Sequence, residues 1–155
     1  MAGRRRTRRR KQRKQRGGSL LQARFNTAAI QGQTLPLEAT ENEPLLEWPA
    51  PPLDTYVTLI CYDPNAIAPA WLHWLVVNCV GTSPNSGDTL LEWAPPAPPP
   101  NTGKHEYKIQ LFKHTYKIPV DVAPTQRGYF NVREFAEKNR LEPMAKTSFF
   151  VKAPA

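Results

Sequence analysis

Trp71-Leu72-His73-Trp74-Leu75-Val76-Val77-Asn78-Cys79-Val80 is apolar at nearly every position. A strand with one wet side alternates apolar and polar residues, whereas a strand covered on both sides reads as a continuous apolar run. The run therefore predicts a central strand of a sheet packed on each face. Uninterrupted alternation places Trp71, His73, Leu75, Val77 and Cys79 on one face.

Outward from this strand the chain reads as further strands joined by turns. Upstream, Tyr56-Val57-Thr58-Leu59-Ile60-Cys61-Tyr62 is rich in β-branched and aromatic residues and stops at the turn Asp63-Pro64-Asn65. Leu21, Ala23 and Phe25 alternate with polar residues, and Pro36 and Pro44 exclude a continuous helix between them. Downstream, Gly81 to Gly87 is turn-rich and Thr89 to Trp93 reads as a short strand. Ala94 to Asn101 holds five prolines, which makes a rigid, extended connection. His105 to Phe112 alternates again, with His105, Tyr107, Ile109 and Leu111 on one face. A helix starts at Asn131, with Glu134 three residues on and Val132, Phe135 and Ala136 as its apolar stripe. Pro143 closes that region, and Thr147 to Lys152 makes a last strand. The fold class is mainly β.

The 155 residues suit one domain with an extension. No stretch approaches the roughly 20 apolar residues of a membrane-spanning helix, and no apolar block follows the N-terminal charges, so a cytoplasmic protein is expected. Cys61 and Cys79 sit in apolar runs, which suggests buried free thiols rather than a disulfide or a zinc site. The net charge of +8 is local. Arg4, Arg5, Arg6, Arg8, Arg9, Arg10, Lys11, Arg13, Lys14 and Arg16 hold 10 of the 21 basic residues, leaving 11 basic against 13 acidic ones in a body of about −2. Residues 1–18 are expected to be a basic tail, disordered unless bound, ahead of a domain at 19–155. The tail has no aromatic residue to stack on bases, so its affinity for nucleic acid should be nonspecific and salt-dependent. Nuclear, virion-associated and anionic-membrane roles use the same charge, and a basic leader of this kind would suit a compact viral genome.

Four features stand in order: Asp63-Pro64-Asn65, Trp71-Leu72-His73-Trp74, Ala97-Pro98-Pro99-Pro100, and Asn101-Thr102-Gly103-Lys104-His105-Glu106-Tyr107. Together they resemble the phosphatidylethanolamine-binding family, marked by D-P-D-x-P, then W-x-H before an apolar strand, then P-P-x-G-T-G-x-H-R-Y. The similarity runs from about Leu21 to Lys152. It implies a large antiparallel sheet with a second smaller sheet and one or two peripheral helices. It also implies a surface pocket for phosphate or a phospholipid head group, formed by Asp63, Trp71, His73, Ala97, Pro98, Pro99, His105 and Tyr107. No cofactor and no catalysis are implied. The partners implied are regulated proteins of the kinase or protease class. A monomer is expected. The chain departs from the pattern at Asn65, Ala97 and Glu106, and it stops at Ala155 without the further helix that closes the pocket in some members of the family, so a more open site is expected.

The residue chemistry agrees with a site for an anion. An anion leaving water needs donors, which His73, His105 and Tyr107 supply. Asp63 would hold an imidazole in one tautomer and aim its other N–H at the ligand. One carboxylate with two imidazoles also matches an open metal site, but no second shell is legible, so no metal is expected. Ser83 and Ser86 lack the G-x-S-x-G context of a hydrolase nucleophile. The other reading is a nucleic-acid or virion-associated protein acting through the tail, with a vestigial pocket.

Overall fold

The computed structural model describes residues 21–155; the whole cationic run from Arg4 to Arg16 lies outside the described residues. Two antiparallel sheets organise the described residues. The larger has the order β6 (Asp88–Leu91), β5 (Trp71–Cys79), β4 (Tyr56–Asp63), β7 (Lys104–His114), β8 (Glu142–Lys152). The smaller has the order β2 (Ala28–Ala29), β1 (Gln22–Phe25), β3 (Leu45–Glu47). The helix α1 (Val132–Lys138) begins at Asn131, whose side chain accepts from the Glu134 amide at 2.9 Å.

Two apolar layers follow. On one face of the large sheet Leu59, Ile109 and Phe149 pack against Phe25 and Leu46 of the small sheet. On the other, Ile60, Leu72, Leu75 and Val77 meet Ile118 and the apolar stripe Val132, Phe135 and Ala136 of α1. Burial on both sides explains why β4 and β5 carry no polar phase.

The expected face of β5 is corrected by a bulge. Cys61 stands opposite Trp74 and Tyr62 opposite Leu72, so His73 is the extra residue on β5. His73 and Trp74 therefore both belong to the small-sheet side, while Leu75 and Val77 cross to the helix side. A second irregularity at Asn78 returns Cys79 to the first side. A bulge inverts the alternation of all that follows it, and an all-apolar strand shows no trace of the inversion in its composition.

Other boundaries also differ from the sequence reading. β8 starts at Glu142, ahead of the expected Thr147, because Pro143 needs no ladder donor on an edge strand. β6 ends at Leu91, and Trp93 instead turns its indole N–H toward the carbonyls of Thr40 and Glu41. The strands β2 and β3 are two and three residues long, too short to leave a periodic signal.

Two buried polar residues hold the segment after β7. Asn78 sits at φ 60°, in the left-handed region that Asn tolerates. Its amide donates to Ile118 O at 2.7 Å and to Asp88 Oδ2 at 3.1 Å, and its carbonyl accepts from Ile118 N at 2.7 Å. His114 donates from Nδ1 to Tyr116 O at 2.7 Å, which leaves Nε2 to accept from the Thr58 hydroxyl at 2.7 Å. Burial pulls the His114 pKa below its ordinary 6.5.

Removing the Asn78 side chain leaves both the Ile118 amide and carbonyl without partners. Asn78→Ala is expected to lower stability by about 2–4 kcal/mol, read as a lower urea midpoint at unchanged slope. The lowered His114 pKa sets a pH dependence as well. The unfolded chain binds the proton more readily, so stability is full above the ordinary value of 6.5 and is lost as pH falls toward the folded value. The urea midpoint should fall from pH 7.5 to pH 5.5, and His114→Gln should flatten that slope.

Candidate ligand-binding site

The register brings the predicted residues together. β4 lies between β5 and β7 and runs antiparallel to both, so its last residue neighbours the first residues of the other two. Asp63 accordingly pairs with Trp71 across one ladder, and Tyr62 with Lys108 across the other. A cavity of about 260 Å³ opens there, and Asp63, Trp71, His73, Ala97, Pro98, Pro99, His105 and Tyr107 all line it. Ala66, Ile67, Ala68 and Pro95 complete the wall.

Within the cavity, Asp63 Oδ2 accepts from His105 Nδ1 at 2.8 Å, and Asp63 Oδ1 accepts from the Asn65 amide at 2.8 Å. Both carboxylate oxygens are thus engaged in a residue that is only 3% exposed. The second His105 nitrogen, Nε2, lies 2.8 Å from the Thr102 hydroxyl, which is itself 2.6 Å from Pro99 O. The sequence reading has that nitrogen aimed at a ligand; in the structure it meets Thr102 first. Thr102 joins the proline bend to His105, and as an exposed Thr in a loop it leaves no distinctive sequence signal.

His73 is held differently. Its Nδ1 donates to Ala94 O at 2.6 Å, and Nε2 has no partner among the described residues. No unpartnered side-chain polar atom among those residues is sealed from solvent, so Nε2 opens into the cavity that the ring lines. Burial lowers the His73 pKa, opposed by the Ala94 bond and the Asp63 charge and assisted by Arg127. At neutral pH the ring is therefore uncharged, with its proton on Nδ1 and a lone pair toward the cavity. Trp71 packs on His73 at 4.7 Å between centroids, and Tyr107 meets it edge-on at 5.0 Å. Burial raises the Tyr107 pKa, so its phenol stays protonated and is a donor.

Arg127 is a positioning residue that the sequence reading missed. Its guanidinium donates to Leu72 O and His73 O at 3.2 Å each and to Glu92 O at 2.7 Å, and it stacks over Trp71 at 5.7 Å. These contacts clamp the bulged start of β5. The neighbouring Gly128 is needed for close approach, since a Cβ there would stand 2.9 Å from Ala68 Cβ. An Arg-Gly pair in a coil offers little else to recognise it by. Among the described residues no three His, Cys, Asp or Glu side chains converge as metal ligands. Cys61 and Cys79 are buried free thiols, and burial raises the pKa of both, that of Cys79 to about 12.

A family model described as phosphatidylethanolamine-binding protein matches residues 25–154. The chain belongs to that family. Among curated members, CEN-like protein 4 of Nicotiana tabacum is 31% identical over 77% of this chain and 71% of its own length. Protein CENTRORADIALIS-like of Arabidopsis thaliana is 34% identical over 62% of this chain and 58% of its own. The chain thus spans less than two thirds of the length of some of the curated relatives it matches. In fold it is similar to a carboxypeptidase Y inhibitor solved with its cognate proteinase, with a TM-score of 0.75, 20% identity, and 86% and 82% of the two chains covered. It is also similar to the phosphatidylethanolamine-binding protein of Plasmodium vivax, with a TM-score of 0.69, 16% identity, and 86% and 85% covered.

If Arg127 clamps the start of β5, Arg127→Met should cost about 1.5–3 kcal/mol, the range for hydrogen bonds to a charged group. It should also shift the His73 ring signals in an NMR spectrum. Arg133→Met, on the exposed face of α1, should change stability by less than about 0.5 kcal/mol and leave those signals in place.

Proposed function

We propose that this phosphatidylethanolamine-binding family member is a non-enzymatic binding protein. Its cavity takes a phosphate monoester of the size of a phospholipid head group, and its surface serves a regulatory protein partner of the kinase or protease class. The observation that carries the reading is the unengaged Nε2 of His73, which lines one small cavity with the Tyr107 phenol and the His105 ring. The volume of about 260 Å³ lies below the usual range for drug-sized ligands and suits a head group rather than acyl chains. Trp71, Pro98 and Ile67 give the organic part of the ester an apolar wall.

The donors decide how an anion is received. Tyr107 offers an O–H without rearrangement. His73 offers only a lone pair while neutral, so it receives an anion by taking up a proton, or by accepting one that the phosphate monoanion carries. Either route couples binding to protons in the same direction. The Thr102 hydroxyl is exposed and sits on His105, where a phosphate oxygen can replace it. The solved inhibitor–proteinase complex of a family-fold protein supports a protein partner as the means by which the bound state acts.

The test is calorimetric titration with phosphorylethanolamine at pH 6 and pH 8. Affinity should be weaker at pH 8, by up to about tenfold per pH unit where one proton is taken up. His73→Phe should remove most of the binding and leave the fold intact. Absence of binding at millimolar ligand, or an affinity independent of pH, would contradict the proposal.

A further inference from the structure

The charges of the body are segregated along the chain. Between Arg24 and Lys104 there are eight Asp and Glu residues and no Lys or Arg. Four of the eight, Glu38, Glu41, Glu43 and Glu47, fall within ten residues, all are exposed, and none forms an ion pair among the described residues. Glu43 and Glu47 line a groove of about 750 Å³ over the small sheet. Glu43 also borders an adjoining hollow with Glu92 and Trp93. Leu45, which is 62% exposed, and Trp74 give the groove part of its apolar lining. The guanidinium of Arg24, the cation on its wall, is turned to the carbonyls of Phe25 and Asn26.

Leu21, the first described residue, itself lines this groove. The 20 residues before it, with ten cations and no acid among the first sixteen, therefore enter the described fold at the acidic groove. We propose that the groove bounded by Glu43 and Glu47 is the docking site of the chain's own N-terminal basic segment. Arginine suits such a groove because its guanidinium is weakly hydrated, pairs with carboxylates and stacks on aromatic and apolar surface. Attachment at the groove edge makes the contact intramolecular, with an effective concentration in the millimolar range where the connection is short. Docked, the segment is masked from other polyanions, so the groove sets how strongly the full chain binds them. This inference is independent of the head-group cavity, which shares no lining residue with the groove.

Paramagnetic relaxation tests the placement. Cys61 and Cys79 are buried, so Thr7→Cys in the full chain directs a spin label to the introduced thiol. In low salt the label should broaden the amide signals of residues 22–24, 43, 45–47, 83 and 85 within the same molecule, and about 0.5 M salt, with its Debye length of a few ångströms, should restore them. Mixing labelled with unlabelled, isotopically enriched chains separates docking within a molecule from docking between copies. A second arm reads function. The pair Glu43→Gln and Glu47→Gln should raise the full chain's affinity for a 20-nucleotide oligothymidine about threefold or more by releasing the segment from competition. The pair Glu137→Gln and Glu142→Gln makes the same change in net charge away from the groove and should do so by less than half as much. Broadening spread evenly over the surface, broadening only between copies, or equal effects of the two pairs would overturn the proposal.

Discussion

The cavity depends on the contact between Asp63 Oδ2 and His105 Nδ1, 2.8 Å long and almost wholly buried. A carboxylate withdrawn from water needs a donor at each oxygen, and here the Asn65 amide and the His105 ring supply them. A buried pair of this kind is weak evidence for stability, since desolvation offsets the attraction. Its effect is positional. It ties the end of β4 to the start of β7, and it sets the His105 plane against Thr102 and the proline bend.

The second imidazole is positioned by backbone rather than by charge. A bulge gives β5 one extra residue at His73, and the freed ring turns to Ala94 O while Arg127 grips the carbonyls on either side. The two histidines of the cavity thus differ in kind. His105 is saturated by protein groups, whereas His73 keeps one nitrogen for whatever enters. That difference in environment, within one small volume, is the basis of the proposed coupling between binding and proton uptake.

Much of this was legible in the residues. The apolar run at Trp71 to Val80 foretold a strand covered on both sides, and the alternation from His105 foretold the buried face of β7. The family resemblance brought Asp63, His73 and His105 to one place, and the register of β4 against its two neighbours gives the physical reason. What was not legible has separate physical causes. The bulge at His73 leaves no mark in a strand whose residues are apolar on either side. Arg127 and Thr102 act through backbone carbonyls and a ring nitrogen, contacts that loops can make at any spacing. The strands β2 and β3 are too short for a period to show.

The central claim is that His73 holds its proton on Nδ1 and offers Nε2 to the cavity. Long-range proton–nitrogen correlation spectra of the full chain labelled with nitrogen-15 in its histidines read this state directly. The free protein at pH 7 should show His73 as the neutral Nδ1–H tautomer, and saturating phosphorylethanolamine should convert its Nε2 to a proton-bearing or strongly hydrogen-bonded nitrogen. A free His73 protonated on Nε2 alone, or a spectrum unchanged by the ligand, would contradict the account.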